Sequence, residues 1–240
     1  MIKLNRVELN INYDCNLRCK NCNRLCHLLR LDEPMTVDQI RLFIRKLEEE
    51  NKHIVRVKVV GGEPTIHPDF LQICKLLSDA FLDGFIGKIA VNTNGINPKY
   101  RLDAPLYPGI HWKVSPPSRK GHRPVLWSPK DLGLDTFGPC AMPKRCGFSL
   151  DSKGWLPCSA APAIVRVFNL EYLYRPLDGP LPPEIWGLEE LCGHCIFSVN
   201  DEAMRGKKFK DTPANWLEAT PSWKERLEKY MKDNPDKVLK

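Results

Sequence analysis

Three cysteines close to the N-terminus constrain this chain more than any other feature. Cys15, Cys19 and Cys22 have the spacing C-x3-C-x2-C, and most of the residues around them are polar. Three thiolates on one short loop can ligate three irons of a cubane cluster and leave the fourth iron open, whereas electron-transfer clusters use four cysteines. Zinc sites usually pair a C-x2-C with a second pair far along the chain, which fits the x3 gap poorly. The spacing therefore favours an iron–sulfur cluster with one open iron, with zinc and buried core thiols as the alternatives.

The composition of the chain indicates the environment of these thiols. The chain has 240 residues, of which 42% are hydrophobic, and this suits one large domain with a small appendage. The N-terminus does not look like a signal peptide. No stretch of the sequence approaches the roughly 20 apolar residues that span a bilayer. We therefore expect a cytoplasmic protein with no membrane partner, in which ten cysteines favour metal ligation over disulfides. The formal charge of +7 is compatible with an anionic partner, although a lysine-rich surface explains it more simply.

Strands and helices alternate in the first half of the chain. Hydrophobic patterns predict strands over residues 3–13, 53–60, 87–91 and 110–114. Thr36 is the expected N-cap of the first helix, with Gln39 as its partner in a capping box. Apolar stripes place helices over residues 40–47 and 70–81. This order predicts βαβ units and a parallel sheet.

An unusual sequence follows each of these predicted strands. The cysteine loop follows the first strand, Gly61-Gly62-Glu63-Pro64 the second, Asn92-Thr93-Asn94-Gly95 the third and Ser115 the fourth. Ligands of parallel α/β sheets bind at the carboxyl ends of the strands, where these sequences are expected to meet. The sequence thus predicts one site built from four segments.

These motifs, in this order over residues 5–116, resemble the signature of the radical S-adenosylmethionine (SAM) superfamily. The resemblance implies an α/β fold, a partial (truncated) parallel β/α barrel, with a [4Fe-4S] cluster on the three cysteines. It also implies that SAM is bound by Gly61, Gly62, Glu63, Pro64, Asn92, Asn94 and Ser115. Glycines let the backbone approach a cofactor closely, and the Glu63 carboxylate is suited to pair with its ammonium group.

The resemblance further implies a radical enzyme. In the superfamily, the open iron binds the amino and carboxylate groups of SAM, and an electron from the cluster cleaves SAM to a 5′-deoxyadenosyl radical. That radical then removes a hydrogen atom from the substrate. A reductant such as flavodoxin or ferredoxin is the implied protein partner. The sequence itself identifies no catalytic residue.

A second group of cysteines lies in the second half of the chain. Residues 146–158 look like a β-hairpin with its turn at residues 151–154, and a C-x2-C pair follows a predicted helix. Four such thiolates can hold zinc or a second cluster. The pattern resembles the auxiliary-cluster region of the SPASM and twitch subfamily, which implies a second [4Fe-4S] cluster that relays electrons. The implied ligands are Cys146, Cys158, Cys192 and Cys195, with Cys140 as an alternative to one of them.

A change in composition near residue 120 predicts a domain boundary. We expect a radical SAM core over residues 1–125, a small twitch-like cysteine-rich domain over 126–220, and a charged surface helix with a tail over 221–240. Cys26 and Cys74 lie outside both ligand sets, and both are expected to pack in the core.

The substrate is the least constrained part of the prediction. The twitch resemblance favours oxidation or rearrangement of a small molecule or side chain, which is oxidoreductase or isomerase chemistry. Basic stretches leave a nucleotide or nucleic-acid substrate open, and a peptide is a further alternative. The basic residues are Arg119, Lys120, His122, Arg123, Lys130, Lys144 and Arg145, followed later by Arg205, Lys207, Lys208 and Lys210. The alternative from another functional class is a non-enzyme, a zinc-bound module without catalytic activity.

Overall fold

A six-stranded sheet forms the centre of the computed structural model, which describes residues 2–19, 22–97, 99–100, 102, 105–115, 125–134, 136, 140–199 and 219–239. The strands are β1 (Ile2–Asn10), β2 (Lys52–Val60), β3 (Ile89–Thr93), β4 (Ile110–Val114), β5 (Phe148–Asp151) and β6 (Gly154–Leu156). Their order is β4-β3-β2-β1-β5-β6, and neighbouring strands are parallel except for β5 and β6. The predicted α/β fold with a mainly parallel sheet is confirmed, and it is consistent with a partial β/α barrel.

The helices follow the predicted alternation. They are α1 (Val37–Glu49), α2 (Phe70–Leu82), α3 (Ala141–Cys146), α4 (Ala161–Val167), α5 (Leu188–Cys192) and α6 (Pro221–Asp233). Thr36 caps α1, and the capping box with Gln39 is present. The prediction for the third strand was wrong by two residues at each end, because pairing with β4 continues through Asn92 and Thr93. Asn92 therefore belongs to β3 and does not follow it.

The two faces of the sheet have different chemistry. Alternate residues of β1, β2 and β3, such as Leu9, Val59 and Val91, pack with the apolar stripes of α1 and α2 in the main core. The intervening residues form what we call the polar face. Its members are Glu8, Asn10, Lys58, Ala90, Asn92, His111, Lys113 and Ser149. Because a strand alternates its side chains, the buried apolar face leaves these residues on the opposite side.

The hairpin of β5 and β6 extends the same sheet. Residues Val7 to Leu9 of β1 pair in parallel with Phe148 to Leu150 of β5, so hydrogen bonding crosses the expected domain boundary at residue 125. The predicted hairpin and its turn are present. The division into residues 1–125, 126–220 and 221–240 stays a prediction.

A second apolar cluster joins the cysteine loop to the later helices. It contains Tyr13 and Leu25 from the loop, residues of α4, and Trp223 from α6. The predicted charged C-terminal helix is α6, but Trp223 is 1% exposed, so one face of this helix is buried. Among the described helices, none is both long and apolar enough to span a membrane.

Candidate functional site

The cysteine loop begins directly after β1. A hydrogen bond joins the Cys22 N–H to the Cys19 carbonyl at 3.1 Å, and another joins the Leu25 N–H to the Cys22 carbonyl at 3.0 Å. These turns hold the cysteines together at the carboxyl end of the sheet. Cys15 and Cys22 are half-buried, whereas Cys19 is exposed. The loop thus presents thiols from a single short segment.

The three thiols interact electrostatically. Burial raises the pKa of Cys15, and negative charge on Cys22, Glu63 and Cys19 raises it further. The pKa of Cys22 is well below its ordinary value, chiefly because the Cys26 thiol donates a hydrogen bond to it, while burial opposes this effect. Cys26 is buried as predicted, and its thiol donates a hydrogen bond to the Arg24 carbonyl at 3.7 Å, but its interaction with Cys22 was not predicted. The spacing of four residues between Cys22 and Cys26 was the sequence feature that could have indicated this interaction.

The donor set suits an iron–sulfur cluster. Within the part of the chain that the structure describes, no three His, Cys, Asp or Glu side chains are arranged to hold a single metal ion. The thiolate ligands of a cubane cluster bind separate irons, so they need not converge on one point. Three neighbouring thiols on one loop therefore fit the chemistry of a cluster whose fourth iron is left open.

The Gly-Gly-Glu-Pro segment packs directly against the cysteine loop. A Cβ atom on Gly62 would lie 2.1 Å from the Asp14 carbonyl oxygen and 3.0 Å from the Cys15 Cβ. The Gly62 N–H donates to the Asn12 carbonyl at 3.1 Å, and the Glu63 N–H donates to the Asp14 carbonyl at 2.8 Å. A side chain at Gly62 would push the two segments apart, so this glycine is required where the loop and the end of β2 meet.

Glu63 connects the second and third motifs. Its Oε1 accepts hydrogen bonds from the Thr65 N–H at 3.1 Å, the Thr65 hydroxyl at 2.6 Å and the Thr93 hydroxyl at 2.8 Å. Its Oε2 accepts one from the Asn94 N–H at 2.7 Å, so this oxygen can accept another. The buried carboxylate therefore holds the second and third motifs together. Its Oε2 has a further lone pair that can accept a hydrogen bond from a ligand. The sequence analysis missed both threonines.

The remaining predicted SAM contacts lie around this centre. The Asn94 side-chain amide donates to Asn16 Oδ1 of the cysteine loop at 2.7 Å, and the Ser115 N–H donates to the Thr93 carbonyl at 2.8 Å. Asn92 has a buried Oδ1 with no hydrogen-bond partner among the described residues. The structure therefore brings the segments after β1, β2, β3 and β4 to one end of the sheet.

In the second cysteine group, four thiols interact with one another electrostatically. Burial raises the pKa of Cys158 to about 12, and negative charge on Cys140 and Cys192 adds to this rise. Burial also raises the pKa of Cys195 well above its ordinary value, and negative charge on Cys158, Cys140 and Cys192 contributes. Cys140, Cys158, Cys192 and Cys195 therefore interact with one another electrostatically.

Cys146 has different surroundings. Its Sγ lies 3.4 Å from Lys58 Nζ on the polar face. Burial raises the pKa of Cys146, and the charge of Glu8 raises it further. The next residue explains this position: Gly147 has φ +80°, and a Cβ there would lie 1.9 Å from the Arg6 carbonyl oxygen. This close approach holds the end of α3 against β1.

The basic stretches contribute little to the described site. Lys130 lies against Gly193, between Cys192 and Cys195. Lys144 and Arg145 belong to α3. The other predicted basic residues lie outside the described residues: Arg119, Lys120, His122, Arg123, Arg205, Lys207, Lys208 and Lys210.

Comparisons with known proteins matched the N-terminal part of the chain. Residues 9–106 match the family model described as the Radical SAM superfamily. A GTP 3′,8-cyclase of Pasteurella multocida is 32% identical over 91 residues, which cover 37% of this chain and 26% of that protein. A putative glycyl-radical enzyme activating enzyme of Methanocaldococcus jannaschii is 31% identical over 106 residues, covering 42% of this chain and 36% of the relative. The matched part is thus about a quarter to a third of these relatives.

A solved structure was also found. The structure titled "Crystal structure of SeMet BtrN in an OPEN conformation" aligns with 72% of this chain and 75% of its own chain, at 12% identity and a TM-score of 0.43.

The family match covers the cysteine loop and the two motifs that pack against it. The part of the chain that forms this site, residues 9–106, is thus similar to the radical SAM superfamily.

Proposed function

We propose that the protein is an enzyme that cleaves SAM reductively at a [4Fe-4S] cluster held by Cys15, Cys19 and Cys22. The bound cluster and SAM supply a 5′-deoxyadenosyl radical, which abstracts a hydrogen atom from the substrate. The observation that carries the proposal is the packing of Gly62 and Glu63 against the loop that bears the three thiols. The match of residues 9–106 to the radical SAM superfamily model supports the same chemistry.

The residues of this chain would bind and orient the cofactors. The Cys26 thiol stabilises the Cys22 thiolate, which a cluster ligand requires. Glu63 fixes the ends of β2 and β3 relative to each other, and its Oε2 is a candidate acceptor for the SAM ammonium. The contact between Asn94 and Asn16 holds the third motif against the cysteine loop. The protein thus contributes orientation, while the cofactors contribute the radical.

A second [4Fe-4S] cluster is part of the proposal, with one change to the predicted ligands. Cys140 takes the place of Cys146 beside Cys158, Cys192 and Cys195, because these four thiols influence one another electrostatically. Four protein ligands would close the cluster and suit it to electron transfer. Leu25 of the cysteine loop and Cys195 line the same small cavity, which places the two cysteine regions side by side. Flavodoxin or ferredoxin is the proposed external reductant.

The substrate class has two candidates. Oxidation or rearrangement of a small molecule suits an enzyme with an electron relay. A nucleotide is the second candidate, because relatives of the N-terminal segment are named GTP 3′,8-cyclases and because Lys58, His111 and Lys113 lie on the polar face.

The test of the proposed function is SAM cleavage. Anaerobically reconstituted protein is incubated with SAM and dithionite, and 5′-deoxyadenosine is measured by chromatography. We expect 5′-deoxyadenosine from the wild-type protein without added substrate. Reconstituted protein that carries iron and sulfide but releases none would contradict the proposal, and protein that binds only zinc would support the non-catalytic module.

A further inference from the structure

An open cavity of about 300 Å³ lies beside the cysteine loop. Cys15 lines it together with Ile66, three residues beyond Glu63, and Leu239, near the end of the chain. Glu63, which orders the candidate SAM site, is not among the described residues that line this cavity. The cavity is therefore a separate approach from solvent to a proposed cluster ligand.

One wall of the cavity is formed where the end of the chain packs on the segment after the cysteine loop. The Arg30 N–H donates a hydrogen bond to the Lys237 carbonyl at 2.9 Å, and the Leu239 N–H donates to the Leu28 carbonyl at 3.0 Å. Arg30 and Leu239 both line the cavity. Because backbone hydrogen bonds fix these two residues, the cavity is a formed part of the surface.

The lining of the cavity has a net positive charge that faces water. Arg18 and Arg30 line it, and Asp14 supplies the one carboxylate among the described lining residues. Arg30 Nε donates to Asp14 Oδ1 at 2.6 Å, and these two side chains are 53% and 34% exposed. The exposed Arg18 donates only to the carbonyls of Cys15 and Cys26 among the described residues, and carbonyls leave its charge in place. Exposed cations need no partner for stability, so this charge acts chiefly on molecules that approach the surface.

The proposed cluster needs an electron from outside the protein, and its ligands come close to solvent at this surface. Cys19 is exposed, and the half-buried Cys15 lines the open cavity. Complexes that transfer electrons are transient and bury little area, so complementary charges determine how fast the partners meet. A carrier protein with acidic side chains around its redox group has the charge that suits this surface.

We infer that Arg18, Arg30 and the cavity beside Cys15 form the docking surface for an acidic one-electron carrier protein. In this step the carrier loses one electron and the cluster gains it, and no proton or chemical group is transferred at the surface. The inference rests on the proposed function, because the cluster is the electron acceptor. Docking of the carrier is measurable without SAM cleavage, so the two can fail separately.

The test compares electron donors in the release of 5′-deoxyadenosine by reconstituted protein at low ionic strength. The donors are reduced flavodoxin, reduced ferredoxin and reduced methyl viologen, a small cation. In Arg30→Gln, we expect KM for at least one protein carrier to rise about tenfold, because one attractive charge is lost. The rate with methyl viologen is expected to stay the same, since a cation gains nothing from Arg30. Arg45→Gln is the matched control, because Arg45 is exposed on α1 and pairs locally with Glu49.

A conservative variant distinguishes charge from local structure. Arg30→Lys keeps the positive charge, so we expect it to retain most of the wild-type rate with the protein carriers. An unchanged KM in Arg30→Gln, or an equal rise in Arg45→Gln, overturns the inference. An equal fall with methyl viologen also overturns it, because Arg30 would then act on the order of the cysteine loop.

A binding measurement separates this inference from the proposed function. Isothermal titration calorimetry with oxidised flavodoxin and oxidised ferredoxin needs no SAM, and we expect weaker binding of the carrier to Arg30→Gln than to the wild type. SAM cleavage with methyl viologen by a wild-type protein that binds neither carrier removes only this inference. Carrier binding that depends on Arg30, without cleavage by any donor, removes only the proposed function.

Discussion

The two cysteine regions differ in how the chain brings their thiols together. Cys15, Cys19 and Cys22 come from one loop, and Cys19 is exposed. The second set comes from separate segments around α3, β6 and α5, and its members Cys158 and Cys195 are buried. Local spacing encodes the first arrangement, whereas tertiary packing decides the second. The comparison also suggests different roles, since an exposed site with an open iron can admit a ligand and a buried closed one cannot.

The prediction with the largest expected effect tests whether the first cysteine region is the site of SAM cleavage. Cys19→Ala removes one of three ligands, so we expect 5′-deoxyadenosine formation to fall below detection and about four irons to be lost. Cys74→Ala is the control, because Cys74 lies buried on α2 away from both sets. The control is expected to keep its iron and its activity. Full SAM cleavage by Cys19→Ala would show that the first region is not the site.

The next prediction tests whether Cys140 or Cys146 is a cluster ligand in the second cysteine region. Cys140→Ala is expected to lose about half of the iron and to keep SAM cleavage without substrate, because only a four-iron relay cluster is removed. Cys146→Ala is the matched comparison, since its thiol contacts Lys58, and it is expected to keep all its iron. The reverse result, with iron lost in Cys146→Ala alone, would restore the ligand set inferred from spacing.

A smaller effect tests how the regions are joined. Arg166 of α4 forms buried ion pairs with Asp32, after the cysteine loop, and with Asp151 of the hairpin. Arg166→Leu leaves both carboxylates without this partner, so we expect the free energy of unfolding to fall by about 3–5 kcal/mol. Arg45→Leu, at an exposed pair with Glu49, is expected to cost about 0.5 kcal/mol or less. Urea denaturation measures both, and equal losses would mean that Arg166 does not join the regions.

The smallest effect concerns the order of the first site. Thr93→Val removes one hydrogen bond to Glu63 and keeps the shape of the side chain. A bond to a charged group contributes about 1.5 kcal/mol, so KM for SAM should rise about tenfold with a smaller change in kcat. Initial rates of 5′-deoxyadenosine release measure this split. An unchanged KM would mean that Glu63 is not ordered through Thr93.

Local features of the fold were predictable from the sequence. The Thr36 cap, the stripes of α1 and α2 and the turn of the β5–β6 hairpin depend on residues close together in the chain. The parallel pairing of β5 with β1 was not predictable, because it joins Leu9 to Leu150 across the chain and no periodicity reports it. The placement of Cys146 beside Lys58 follows from this pairing, which the spacing of the cysteines does not reveal.

The candidate site likewise has parts that could be predicted from the sequence and parts that could not. The cysteine loop and Gly-Gly-Glu-Pro were predictable because chemistry fixes their residue types and spacing. The bonds of Glu63 to Thr65 and Thr93 were missed, since threonine near a strand end is common and carries no distinct signal. Glu8 and Lys58 lie on predicted strands, but their burial as an ion pair depends on the elements that cover the sheet.

The most direct test of the account is the iron and acid-labile sulfide content of the anaerobically reconstituted wild-type chain. We expect about eight irons and eight sulfides per chain, from one cluster in each cysteine region. About four of each would contradict the proposed second cluster, and zinc without sulfide would contradict the radical chemistry as a whole.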